Sequence, residues 1–150
     1  MEDLDMGHRS LQCGRRNDAL KLWLAWRDKG DEGWEKLIDS FMDKADYLES
    51  LIVAHPRTEM MSSRKFGNVC CRYNPEPGNP SPNGINLNDL NNKIRLRLYE
   101  TGRFMISKAL IREDVVLRPV TGTLSSTNDT FKQLFDTIVE IGDKCIDEMK

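Results

Sequence analysis

Between residues 18 and 29, Ala19, Leu20, Leu22, Trp23, Leu24 and Trp26 are interleaved with charged residues so that apolar side chains fall on several sides of a helix. Such a helix is either buried all round or docked on another surface. Gly30-Asp31-Glu32-Gly33 is expected to break it. A second helix, from about Gly33 to Ala54, repeats Trp34, Leu37, Ile38, Phe41, Ala45, Leu48 and Ile52 at helical steps. Asp39, Asp43, Asp46 and Glu49 fill its outer face, and Pro56 stops it.

Beyond it the periodicity shortens. Thr58 to Ser62 and Asn68 to Tyr73 read as strands, with Arg64-Lys65-Phe66-Gly67 as a hairpin-like turn. Residues 74–84 hold four of the six prolines and read as a surface loop. Asn86 is placed to cap a third helix carrying Leu87, Leu90, Ile94 and Leu98 and ending at Gly102. Strands follow from Phe104 to Leu110 and from Val115 to Val120, around the turn Arg112-Glu113-Asp114. Pro119 cannot donate to a ladder, so the last strand ends or lies at an edge there. Ser126-Thr127-Asn128-Asp129 reads as a capping box for a closing helix with Phe131, Leu134, Phe135, Ile138 and Ile141 inward.

Strands that arrive in pairs joined by short turns favour an antiparallel sheet with helices on one face. The fold class is therefore α/β of the α+β type: a small antiparallel-rich sheet with helices packed on one side. The expected division is a lead-in over residues 1–17 and one domain over 18–150.

Composition narrows the function. A chain of 150 residues with 39% hydrophobic and 31% charged residues is one domain with a genuine core. Its net charge of −2 argues against a general nucleic-acid or anionic-membrane binder. No apolar run has the length to span a bilayer. The acidic start Met1-Glu2-Asp3-Leu4-Asp5 is not a secretory signal, so a cytoplasmic protein is expected. Cys70 and Cys71 are neighbours in a strand and point to opposite faces, and no Cys-x-x-Cys exists, so no metal site is expected. Neither histidine sits in a nucleophile context.

Arginines near apolar elements remain as candidate chemistry: Arg15, Arg16, Arg72 and Arg118. Arg15 and Arg16 stand at the mouth of the first helix, where a carboxylate or phosphate could be recognised, and Gly14 lets the backbone turn there. Arg118 interrupts the apolar strand Val115-Val116-Leu117-Arg118. It is either a solvent-face arginine or a guanidinium aimed from a rigid strand at a carboxylate. Nothing beside Arg72 suggests a site.

The run Gln12-Cys13-Gly14-Arg15-Arg16-Asn17-Asp18-Ala19, followed by Leu22-Trp23-Leu24-Ala25-Trp26-Arg27-Asp28-Lys29-Gly30, resembles the group II pyridoxal-phosphate-dependent amino-acid decarboxylases. The glutamate and cysteine-sulfinate decarboxylase branch is the nearest in wording. A looser likeness continues through Asn68-Val69-Cys70, Tyr73, Val116-Leu117-Arg118 and the segment from Leu124 to Gly142.

The resemblance implies the C-terminal portion of a fold-type-I enzyme, with pyridoxal phosphate as cofactor, a small acidic amino acid (glutamate, aspartate or cysteine sulfinate) losing its α-carboxylate as CO2, and a homodimer as assembly. It places Arg118 on the arginine that pairs with the substrate α-carboxylate. Gln12, Cys13, Gly14 and Arg15 match a segment near the active site or dimer interface. The family's Schiff-base lysine follows a histidine upstream of that segment, and no His-Lys pair exists in this sequence. The chain is thus expected to be cut from a longer protein and, alone, to be catalytically inert. A non-catalytic stand-alone interaction domain and a decarboxylase of an aromatic or basic amino acid are the alternatives.

Overall fold

Asn17 opens the first helix by accepting the Leu20 N–H on its Oδ1 at 3.2 Å, as a helix cap does. The computed structural model describes residues 16–149. Helix α1 (Asp18–Ala54) is continuous except at Gly30, whose φ of 64° and ψ of −179° kink it. The helix break expected at Gly30-Asp31-Glu32-Gly33 is therefore corrected to a single-residue kink. Glycine reaches that conformation without a Cβ penalty, and the next residues resume the helix.

The chain divides into two compact units, one ending at Leu37 and the other beginning at Ile38. In the first, Leu22, Trp23 and Leu24 are each more than half exposed. Trp26 Nε1 donates to Asp31 Oδ1 at 2.6 Å, and the Trp26 and Trp34 rings lie 5.5 Å apart.

The second unit holds the core. After the C-terminal part of α1 come β1 (Thr58–Met60), β2 (Cys71–Tyr73), a 3₁₀ turn (Pro82–Gly84), α2 (Leu87–Glu100), β3 (Ser107–Ile111), β4 (Asp114–Arg118) and α3 (Asn128–Asp147). The strands form one antiparallel sheet in the order β1-β2-β4-β3. Helices α2 and α3 pack on each other and on β2. No helix among the described residues is long and apolar enough to cross a membrane.

Local signals account for most boundaries. Asn86 Oδ1 accepts from the N–H groups of Asn88 at 2.9 Å and Asp89 at 3.2 Å, opening α2. Thr127 and Thr130 exchange side-chain and backbone bonds as a reciprocal capping box for α3. Arg112 and Glu113 both take positive φ, 51° and 77°, so the β3–β4 hairpin turns on two residues and Asp114 already belongs to β4. Left-handed backbone at both central positions matches the twist of the strands it joins. Pro119 ends β4 at Arg118, as its missing N–H requires.

The core joins Ala45, Leu48 and Ile52 of α1 to Cys71, Tyr73, Leu90, Ile94, Leu117, Leu134 and Ile138. Among its buried polar residues is Asn91, which is fully buried, as are Asn74 and Thr121. Asn91 Oδ1 accepts the Tyr73 N–H at 2.9 Å, while Nδ2 donates to Tyr73 O and Leu87 O, each at 2.9 Å. The β2–β4 pairing in register is confined to Cys71 and Leu117. Asn91 thus satisfies backbone groups of Tyr73 that would otherwise be buried without partners.

Candidate anion-binding site

β4 ends against a cavity of about 590 Å³ that Arg118 lines together with residues of α2, the segment before β3 and the start of α3. Arg118 Nε donates to Ser107 Oγ at 3.0 Å, and Ser107 Oγ donates to Arg118 O at 3.0 Å. The two residues face each other in the β3–β4 register, so the ladder itself sets this contact. Holding the guanidinium by Nε leaves its two Nη groups without a protein partner among the described residues.

One residue earlier, Ile106 O does the same for a second arginine. Arg95 Nε donates to it at 3.1 Å, and the Arg95 guanidinium stacks 4.5 Å from the centroid of the Tyr99 ring. Tyr99 OH donates to the same carbonyl. Arg95 and Tyr99 are four residues apart on α2 and so share one face.

Both arginines line the one cavity, and among the described residues neither an aspartate nor a glutamate lines it with them. Ser107, Thr123 and Ser125 add hydroxyls to the same wall. The positive end of α3 enters through Thr130 and Phe131. Two cations and hydroxyl donors, with no acid among the described lining residues, make a cavity suited to an anion with more than one acidic group.

The other sequence candidates fall elsewhere. Gln12, Cys13, Gly14 and Arg15 lie outside the described residues. Arg16 is exposed at the start of α1. Arg72, beside which the sequence suggested no site, pairs with Glu59 directly opposite on β1 and with Asp114 Oδ1 at 3.2 Å. Cross-strand register, invisible in sequence order, brings these together and leaves Arg72 a structural ion pair. Burial, with the neighbouring Cys70, pushes the Cys71 thiol up to about 12, a value that keeps it protonated and unreactive. Arg95 was missed by the sequence reading. Its signal was the spacing to Tyr99, which allows a stacked pair on a helix face.

Comparison with known proteins shows what the chain is similar to. The pyridoxal-dependent decarboxylase conserved domain matches residues 2–74. Human cysteine sulfinic acid decarboxylase is 42% identical over 72 residues, covering 48% of this chain and 15% of that protein. Tyrosine decarboxylase 1 of Narcissus pseudonarcissus is 31% identical over 114 residues, covering 75% of this chain and 22% of that protein. Among solved structures, mouse CSAD in its apo form superposes with a TM-score of 0.78 at 26% identity, over 93% of this chain and 31% of that one. Oryza sativa TDC, solved with PLP and tryptamine, shares the fold with a TM-score of 0.79 at 24% identity, over 89% of this chain and 28% of that one.

The chain is homologous to the pyridoxal-phosphate-dependent decarboxylases, lyases that act on amino acids. It spans about 15% to 22% of the length of the curated relatives named here. Its fold, with a small antiparallel sheet backed by helices, is shared with part of fold-type-I members of that group.

Proposed function

We propose that this chain is the C-terminal small domain of a pyridoxal-phosphate-dependent decarboxylase of a small acidic amino acid, working as a homodimer. Glutamate, aspartate and cysteine sulfinate are the substrates considered, each losing its α-carboxylate as CO2. The observation that carries the reading is Arg118: an arginine at a strand end, anchored by Nε, that lines a cavity with no aspartate or glutamate among its described lining residues.

In this reading Arg118 grips the α-carboxylate with the fork geometry that a guanidinium offers and an ammonium does not. A carboxylate held at both oxygens has its bond to Cα fixed in direction, and such positioning is a large share of what an active site supplies. Ser107 keeps the fork from swinging.

The residues present do not by themselves fit the cofactor. Among the described residues, no lysine lines the cavity to engage a carbonyl, and no carboxylate lines it to pair with a pyridinium nitrogen. This supports the further proposal that the 150 residues alone are inert and that their part is to bind and orient the substrate. The identity to human cysteine sulfinic acid decarboxylase supports the acidic branch. A second reading, an aromatic amino-acid decarboxylase, is favoured by the longer match to the Narcissus tyrosine decarboxylase.

The test is CO2 release by the full-length protein carrying this sequence, loaded with pyridoxal phosphate, from cysteine sulfinate, glutamate, aspartate, tyrosine and lysine. Turnover of an acidic substrate is expected, with none from the 150-residue chain given the same cofactor. Turnover of tyrosine or lysine alone, or CO2 release by the short chain, would overturn the corresponding part.

A further inference from the structure

Two arginines reach the same cavity by the same device. Ile106 and Ser107 are consecutive, and each accepts the Nε–H of one arginine: Ile106 O that of Arg95 at 3.1 Å, and Ser107 Oγ that of Arg118 at 3.0 Å. The Nη groups of both have no protein acceptor among the described residues.

This differs from how other arginines of the second unit are used. Arg64 is tied to Glu49 and Asp46, Arg72 to Glu59 and Asp114, and Arg97 to Glu148. Each of those has its charge matched within the protein. Arg95 and Arg118 line a cavity that no acid lines among the described residues, and a second cation in the same cavity adds to the electrostatic cost of holding the site without a counter-charge. A ligand with one negative charge matches one of them. A ligand with two matches both.

We propose that Arg95 is a specificity-determining residue that binds the side-chain acid of a dianionic ligand while Arg118 holds its carboxylate at the other end. The ligand class is a small diacid: a carbon chain short enough for the cavity, with a carboxylate at one end and a carboxylate or sulfinate at the other. This rests on the reading of Arg118 given above and adds the group that would set the acidic preference. The stack on Tyr99 and the bond to Ile106 O fix the Arg95 plane, so its Nη edge is presented rather than left to wander. Neutral and aromatic side chains leave that edge unpaired and desolvated, which selects against them.

The test is titration calorimetry on the full-length, cofactor-loaded protein with glutarate, a diacid, and butyrate, its monoacid counterpart. In the parent, glutarate is expected to bind at least tenfold more tightly than butyrate. Arg95→Met is expected to lower glutarate affinity tenfold or more while lowering that of butyrate threefold or less. Arg118→Met is expected to weaken both. Arg95→Lys keeps the charge but loses the fork, and its glutarate-to-butyrate ratio is expected to fall at least threefold below the parent's.

Equal affinities for the two probes in the parent would overturn the proposal, as would equal losses for both in Arg95→Met. Should that variant fail to fold, the lysine variant decides: a ratio equal to the parent's overturns the proposal. Neither probe can lose CO2 in the assay, so failure of decarboxylation and failure of diacid recognition are read separately.

Discussion

Ser107 Oγ and Arg118 hold each other in a closed pair: the hydroxyl accepts from Arg118 Nε and donates to Arg118 O, both at 3.0 Å. A hydroxyl with one proton can satisfy both contacts only in this sense, so the geometry assigns the donor. Ser107→Ala removes the acceptor and leaves the guanidinium free to rotate. A hydrogen bond to a charged group is worth about 1.5–3 kcal/mol, which sets the upper range of the loss. The expected outcome is a roughly tenfold rise in substrate KM in the full-length enzyme, with unfolding unchanged within about 0.5 kcal/mol. Steady-state kinetics beside a melting curve checks both halves.

Asn91 ties α2 to β2 through three bonds at 2.9 Å in a fully buried setting. Asn91→Leu leaves the Tyr73 N–H and C=O without those partners. Each buried group stranded in this way costs about 1–3 kcal/mol, so a destabilisation of about 2–5 kcal/mol is expected. Urea unfolding of the protein measures it. A change below about 0.5 kcal/mol would show that the bonds carry no stability.

Gly142 has a packing role. A Cβ placed there would stand 2.5 Å from Cδ2 of the Tyr73 ring, closer than real Cβ contacts come. Tyr73 is buried, and its OH donates to Asp143 Oδ1 at 2.5 Å, so the ring is held from its far end. Gly142→Ala is expected to cost about 1–3 kcal/mol through overpacking, despite alanine's better helix propensity. Pairing it with Tyr73→Leu should recover part of the loss, a coupling that a double-mutant cycle reads.

Glu59 sets an acid limb of stability. Burial opposes its charge, but hydrogen bonds from Asn74 and Arg72, the Arg72 charge and the Gly78 N–H outweigh burial and hold its carboxyl below the ordinary value of 4.5. A group whose pKa is depressed on folding stabilises the folded state above its unfolded pKa. That contribution is lost as pH falls through the folded value. Stability is therefore expected to decline below about pH 4.5, and Glu59→Gln should flatten that decline while lowering stability at pH 7. Urea midpoints from pH 3 to 7 for both proteins check the slope.

What the sequence made legible is local. The Asn86 cap, the capping box and the stop at Pro119 each depend on residues within a few positions; the cap and the stop are where the pattern placed them, while the box expected over Ser126–Asp129 is formed one residue later by Thr127 and Thr130. Arg118 was legible because a charge in Val115-Val116-Leu117-Arg118 breaks an apolar run. Gly30 misled in degree, since glycine pairs mark breaks without saying whether one residue or four leave the helix. Arg95 and Asn91 were hidden because their partners are set by tertiary placement. Asn91 finds Tyr73 eighteen positions away and Arg95 finds Ile106 eleven away, separations that no helical or strand period encodes.

The most direct test of the central claim is Arg118→Lys in the full-length, cofactor-loaded enzyme, assayed by CO2 release from cysteine sulfinate and glutamate. Lysine keeps the charge and loses the two-pronged grip, so kcat/KM is expected to fall by about 10- to 100-fold, the range that loss of a charge-assisted hydrogen bond gives. An Arg118→Lys enzyme with the parent's KM and kcat would contradict the assignment of Arg118 to the substrate carboxylate.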